Sequence, residues 1–175
     1  MKGEKRYIGF DLGAESGRCV VGRLKDKKII LNEIHRFPTH NISYSAGFFW
    51  DILAIFQELQ RGLKLAGEQY GSRFDGISVD TWGVDYVLID EDNRILGYPY
   101  HYRDSRNDGM IEAANKIVSN EKLYQISGIQ ILPFNTVFQL LAEKKQKANL
   151  LDIADRVLMI PDFLLFLLDC LYRMF

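Results

Sequence analysis

The chain has 175 residues, of which 47% are apolar and 26% charged, and its formal net charge is −1. That length is enough to bury a core and ordinarily makes one domain. The near-neutral balance argues against a nucleic-acid or anionic-membrane partner, both of which reward a strongly basic surface. No stretch approaches the roughly 20 apolar residues that span a bilayer, and the charged start Met-Lys-Gly-Glu-Lys-Arg does not read as a signal peptide. Cys19 and Cys170 lack metal-type spacing and read as reduced, buried thiols of a cytoplasmic protein. His35, His40 and His101 form no metal-ligand grouping either.

In chain order, residues 6–11, 18–24 and 29–36 read as three strands whose short charged turns predict an antiparallel meander. Pro38, Asn41, Ser43, Ser45 and Gly47 are breakers, so 38–49 is expected to be a loop. Ile52, Ile55, Phe56, Leu59, Leu63 and Ala66 then recur at helical spacing, with Asp51 as N-cap and Gly67 or Gly71 as the stop. The β-branched run 74–80 should return to the sheet beside the first strand, and 86–90 with 94–96 read as a hairpin about Glu91-Asp92-Asn93. Asp108 is a candidate cap for a helix over 109–118, a short helix covers 122–126, and Asn135 is a candidate cap for 137–147. A strand over 156–160 precedes an apolar helix from Pro161. The βββαβα order predicts an α/β fold.

Four segments carry chemistry. In 7–18, an apolar strand ends in Asp11, passes Gly13 and Gly17, and enters a second strand. The two glycines are expected to supply positive φ, and successive N–H groups of such a turn can form an anion-binding nest. Asp11 suits a hydrated Mg²⁺ and Arg18 suits phosphate oxygens. The Gly-Lys-Ser/Thr ending of a P-loop is missing, and a strand rather than a helix follows, unlike the dinucleotide fingerprint. An ordinary hairpin turn fits the same residues. In 75–85, Trp82 offers a face for sugar C–H groups, Asp80 and Asp85 offer carboxylates for hydroxyls, and Gly83 permits close backbone approach. A Trp packed beneath a hairpin with two capping acids fits equally. Arg103 and Arg106 crowd Asp104 in 101–106, as forks for an oxygen-rich ligand or as surface ion pairs. Phe134 and Asn135 precede a helix as a ligand wall or as a cap with its hydrophobic anchor.

Taken together, Asp11-Leu-Gly-Ala-Glu-Ser-Gly-Arg18, Glu33-Ile-His-Arg-Phe37, Asp80-Thr-Trp-Gly-Val-Asp85, Tyr102-Arg-Asp-Ser-Arg106, Ser127-Gly-Ile-Gln130, Leu132-Pro-Phe-Asn-Thr136 and Met159-Ile-Pro-Asp162 resemble the amino-terminal lobe of the FGGY carbohydrate kinases. Within that family, Asp80-Thr-Trp-Gly-Val-Asp85 points to the members that phosphorylate L-rhamnulose. The resemblance implies a ribonuclease-H-like domain of the actin and hexokinase type. Such a domain has a central mixed sheet flanked by helices, and is the first of two lobes that close over ATP and sugar. It implies that Ala14, Glu15, Ser16, Gly17 and Arg18, with Gly13, form the phosphate side of the ATP site, and that Asp11 stands near Mg²⁺ through water. By the same resemblance Gly83 touches the sugar, Trp82 stands where the family varies its substrate choice, and Phe134 and Asn135 form a wall of the sugar site.

The family's catalytic aspartate lies in a His-Asp-Thr block beyond position 175, so the resemblance assigns no catalytic residue here. After Pro161-Asp162-Phe163 the family pattern expects a helix closing in a Thr-Gly turn, whereas the chain reads Leu168-Asp-Cys-Leu-Tyr-Arg-Met-Phe175. The expectation is a lobe over 1–175 truncated near its end, inactive alone and lacking its carboxy-terminal lobe as partner. Self-association is expected through apolar surface exposed around 163–168 and 171–175. The alternatives are a non-catalytic sugar- or nucleotide-binding remnant, or a kinase for L-fuculose or xylulose.

Overall fold

Every second residue turns inward at Ile8, Phe10 and Leu12 of the first strand and at Gly17, Cys19 and Val21 of the second. In the computed structural model, which describes residues 4–146 and 150–173, β1 (Lys5–Leu12), β2 (Ser16–Lys25) and β3 (Lys28–Pro38) form the expected antiparallel meander. Asp26 and Lys27 turn β2 into β3 with φ of 49° and 62°, the left-handed pair that matches the twist of a two-residue hairpin. The chain divides into two units, Met1–His40 with Asp51–Gly83 and Ile160–Phe175, and Asn41–Trp50 with Val84–Met159.

In the first unit, α1 (Ile52–Tyr70) follows the meander. Asp51 caps it by accepting from the Ala54 N–H at 3.1 Å, and it stops where Gly71 (φ 79°) donates back to the Gly67 carbonyl. Ile52, Ile55, Leu59, Gly62 and Ala66 are its buried face, and each buried Ile or Leu contributes about 1.5–3 kcal/mol. Gly62 allows the helix to lie close on β2, because a Cβ there would stand 2.8 Å from the Cys19 Cβ. The helix seals Cys19 at 0% exposure, and burial pushes its thiol up to about 11. Cys170 is only half-buried.

Strand β6 (Gly76–Asp80) returns parallel to β1, from Tyr7 opposite Gly76 to Asp11 opposite Asp80, so the sheet order is β3-β2-β1-β6. Helix α5 (Ile160–Arg173) packs along β6. It corrects one expectation. Phe163, Leu164 and Leu168 are buried, because their side of the amphipathic helix faces its own unit; the side chains of 172–175 lie outside the described residues. Exposed apolar surface occurs instead on the meander, at Tyr7, Leu24, Ile29 and Leu31. These residues line one end of a groove of about 740 Å³ whose other end holds Asp11, Arg18 and Asp80.

The second unit begins with a β-hairpin, β4 (Asn41–Tyr44) against β5 (Gly47–Trp50), where breakers predicted a loop. Two features override the local signal. Gly47 bends at φ 144°, and a Cβ there would stand 2.9 Å from an Asp104 carboxylate oxygen. Phe49 then packs against the rings of Tyr44 and Tyr100. Strand β7 (Tyr86–Ile89) pairs antiparallel with β8 (Arg156–Met159). The hairpin expected between 86–90 and 94–96 shrinks to a single bridge, Ile89 to Ile95, since Gly97 (φ 79°) turns the chain away.

Helix α2 (Met110–Asn115) starts from Gly109 at φ 73°, not from an Asp108 cap. Asp108 instead closes the preceding 3₁₀ turn, its N–H donating to the Ser105 carbonyl. Helix α3 (Asn120–Ser127) runs from a Ser119 cap to Gly128 at φ 67°. Helix α4 (Thr136–Lys144) starts after Asn135, whose side chain donates to the Gln130 carbonyl rather than capping. The predicted end of this helix, residue 147, lies outside the described residues. The architecture is the expected α/β fold with a mixed central sheet, and no helix among the described residues is long and apolar enough to cross a membrane.

Candidate functional site

The segment between β1 and β2 is a tight hairpin loop tied to the end of β3. The Gly13 N–H donates to the Ser16 carbonyl at 2.9 Å, the Thr39 N–H donates to the Glu15 carbonyl at 3.0 Å, and the Thr39 hydroxyl donates to the Gly13 carbonyl at 2.7 Å. Neither Gly13 nor Gly17 adopts positive φ, which corrects the expected reason for both. Gly17 is required by contact: a Cβ there would stand 2.6 Å from Leu12 Cδ2 and from the Phe37 ring. The N–H groups of Ala14 and Glu15 make no hydrogen bond among the described residues.

Beside this loop, Asp11 sits directly opposite Arg18 and accepts from its Nε at 2.8 Å and its Nη2 at 2.6 Å. Asp80 ends β6 in register with Asp11, and both acids are exposed. Three of the sequence-derived candidates thus meet at the carboxyl ends of two parallel strands, the edge where α/β sheets bind ligands. Arg36, opposite Arg18, is held by Glu33 at 2.6 Å, and that hydrogen bond keeps the Glu33 carboxyl below its usual value. Among the described residues no group of three or more His, Cys, Asp or Glu side chains is arranged to hold a metal ion. After β6, Trp82 is half-buried and Gly83 is exposed, with nothing within 4 Å of where a Cβ would stand.

Asp85 is the candidate whose environment departs most from a ligand-facing carboxylate. It is fully buried, and it accepts from Trp50 Nε1 at 2.6 Å, Gln139 Nε2 at 2.7 Å and the Tyr102 N–H at 3.2 Å. These donors satisfy a buried charge that would otherwise be costly. Asp85 is therefore an internal acid rather than one offered to a sugar hydroxyl. The neighbouring Val84 has φ 74°, a left-handed conformation that is an outlier for a β-branched residue. Its carbonyl accepts from the Thr136 hydroxyl at 2.8 Å and from Gln139 Nε2 at 3.3 Å.

The two arginines of 101–106 divide between roles. Arg106 is internal: it binds buried Glu143 at 2.6 Å and lies 3.6 Å over the Tyr100 ring. Arg103 is exposed, 5.4 Å from the centre of the Tyr102 ring, which meets Phe134 edge-on at 5.8 Å. The second unit thus groups Arg103 with Phe134, and Asn135 follows. Among the described residues Asp104 pairs with neither arginine side chain; its carboxylate accepts from the N–H groups of Arg106 and Phe48, which corrects the surface ion-pair alternative. His101 lies between the rings of Phe48 and Trp50, at 4.1 and 4.0 Å. Burial, followed by the Arg103 charge, pulls its pKa down to about 4.

Trp50 and Gln139 were not singled out from the sequence, and Thr136 entered only as the last residue of the 132–136 block. Trp50 fell between the loop expected over 38–49 and the helix capped by Asp51, and Gln139 inside a helix, so no local pattern marked either one as a partner of Asp85.

Comparison with known proteins bears on the whole chain. It is 43% identical over 161 residues to a rhamnulokinase of Oceanobacillus iheyensis, covering 92% of this chain and 34% of that protein. It is 39% identical over 165 residues to a rhamnulokinase of Bacteroides thetaiotaomicron, covering 94% and 34%. The chain thus spans about a third of the length of these curated relatives. Its fold matches the crystal structure of a gluconate kinase from Lactobacillus acidophilus with a TM-score of 0.80 at 17% identity, over 94% of this chain and 33% of that one. The model of the N-terminal domain of the FGGY family of carbohydrate kinases matches residues 6–171, and the chain belongs to that family.

Proposed function

We propose that the chain is the amino-terminal lobe of an ATP-dependent kinase that phosphorylates L-rhamnulose. The observation that carries this reading is the 39–43% identity to two proteins named rhamnulokinase, over more than nine-tenths of this chain. A lobe partner supplying the remaining length of those relatives would bring the catalytic base and the adenine contacts, and the chain alone would not turn over.

The donor set fits the phosphate end of a nucleotide. The N–H groups of Ala14 and Glu15 have no protein acceptor among the described residues, and they would meet phosphate oxygens together with Ser16, Gly17 and Arg18. Asp11 and Asp80 are exposed and adjacent in register. With fewer than three ligands they fit a Mg²⁺ ion held through its waters, which would screen phosphate charge as the group transfers. Arg18 already neutralises Asp11, so anion binding would compete with that ion pair. On the sugar side, Trp82 and Gly83 in one unit and Arg103, Phe134 and Asn135 in the other are each proposed as contacts. The sugar hydroxyl would attack the terminal phosphate in line, its proton passing to the base supplied by the partner lobe.

The test is a titration of the ¹⁵N-labelled chain with L-rhamnulose, L-fuculose and D-xylulose, alongside an ADP-release assay. L-Rhamnulose is expected to perturb residues 82–83, 103 and 134–135 most, with no ADP formed. A stronger response to D-xylulose would reassign the sugar, and sustained turnover by the chain alone would overturn the half-site reading.

A further inference from the structure

The Asp85 cluster ties together three separate segments of the second unit. Its carboxylate joins Trp50 at the end of β5, the Tyr102 N–H in the 101–104 turn, and Gln139 on α4. Gln139, 1% exposed, then ties the same acid to the Val84 and Phe134 carbonyls at 3.3 and 3.0 Å. Thr136 adds a second bond to the Val84 carbonyl. Three segments far apart in sequence are thus fixed to one buried carboxylate and one buried amide, beside a Val84 backbone held left-handed at φ 74°.

What these bonds position is specific. The Tyr102 N–H immediately precedes Arg103, whose guanidinium lies by the Tyr102 ring. The Phe134 carbonyl belongs to the residue whose ring meets that same tyrosine. A buried polar network with this many directional bonds fixes geometry in a way that apolar packing does not. A core built only for stability would place an apolar side chain at position 85 and avoid the desolvation of a carboxylate. Strained backbone held by its surroundings is likewise concentrated at binding sites.

From this geometry we infer that Asp85 and Gln139 are positioning residues for sugar binding. They act as one clamp that sets Arg103 against Phe134 and fixes the backbone next to Gly83, without touching the ligand. The inference rests on the sugar-kinase reading above. It assigns sugar affinity to two buried residues, Asp85 and Gln139.

The experiment compares the chain with its Asp85→Asn, Gln139→Met and doubly substituted forms. It records the Kd for L-rhamnulose, the Trp50 indole N–H resonance, and the backbone amides of 102–103 and 134–136. Each single substitution is expected to weaken sugar binding at least tenfold and to move both amide groups together with the indole. The double substitution is expected to weaken it little further, as for groups acting as a unit. Amides of β1–β3 and of β8 should stay in place, which reports that both units are folded. An Ile55→Val control should lower Tm without changing the Kd. If Asp85→Asn does not fold, Gln139→Met decides by the same readouts. A folded variant with the parent Kd, or with unmoved 134–136 amides, overturns the inference alone. A parent chain that binds no L-rhamnulose overturns the sugar reading and the clamp's role with it.

Discussion

Two aspartates drawn from the candidate segments, Asp11 and Asp85, live in opposite environments. Asp11 is exposed at the end of β1 and shares its charge with one exposed arginine. Asp85 is fully buried and holds an indole, an amide and a backbone N–H. The contrast separates two ways of building a binding surface. On the proposed reading, a phosphate loop needs charge that can be redistributed when an anion arrives, so its groups stay in water and bind one another weakly. A wall that discriminates among neutral sugars needs fixed shape, and a buried network provides it at the expense of desolvated charge.

The most direct way to break the comparison is to remove each acid. Asp85→Ala strands buried donors and is expected to cost about 3–5 kcal/mol in urea unfolding. Asp11→Ala removes a solvent-exposed pair and should cost about 0.5 kcal/mol or less. Equal losses would abolish the distinction.

Next in size is the pH response of the second unit. His101 is held neutral, from an ordinary 6.5 down to about 4, and its Nδ1 accepts from the Arg103 N–H at 3.0 Å. The unfolded chain therefore binds the proton more readily than the fold does. The stabilisation from this residue is complete above pH 6.5 and is lost as pH falls from there toward 4. The loss should reach about 3 kcal/mol. Unfolding curves at pH 7 and pH 4.5 should show it, and His101→Phe should flatten that part of the profile.

Within the loop between β1 and β2, Gly17→Ala introduces a methyl 2.6 Å from Leu12 and Phe37 and should cost about 1–3 kcal/mol. Its measurement by thermal unfolding sharpens the comparison, since even the exposed loop then rests on one buried contact. The smallest effect is a gain. Lys27 is exposed at φ 62°, and Lys27→Gly should stabilise the hairpin by about 0.5–1 kcal/mol. A loss of stability there would show that the lysine side chain contributes more than its backbone strain removes.

The first unit was largely legible in the sequence because its elements are local. Short spacing and charged turns give β1 to β3, Asp51 and the Ile52–Ala66 stripe give α1, and the β-branched run gives β6. The second unit depends on distant partners. β7 pairs with residues 156–159 rather than with its nearest neighbours, and β5 is stabilised by rings at 98–102. The site divides the same way. Asp11, Arg18 and Asp80 end strands that were readable, so their meeting followed. The burial of Asp85 did not, because one acid in a strand carries no mark of the Trp50 and Gln139 that will enclose it. The turn at Gly13–Gly17 was recognised for the wrong reason: crowding by Phe37, twenty residues away, is invisible to a rule about φ.

Cys19, sealed beneath Gly62, gives the chain a built-in clock. Both cysteines belong to the first unit and the second has none. A maleimide can reach Cys19 only when α1 lifts from β2 or the sheet opens, and until then the burial that raises its thiol to about 11 keeps it protonated and unreactive. The alkylation rate of Cys19 therefore times the opening of the first unit, while the Trp50 indole follows the second. If the two units open as one, the two clocks keep the same time at every concentration of urea.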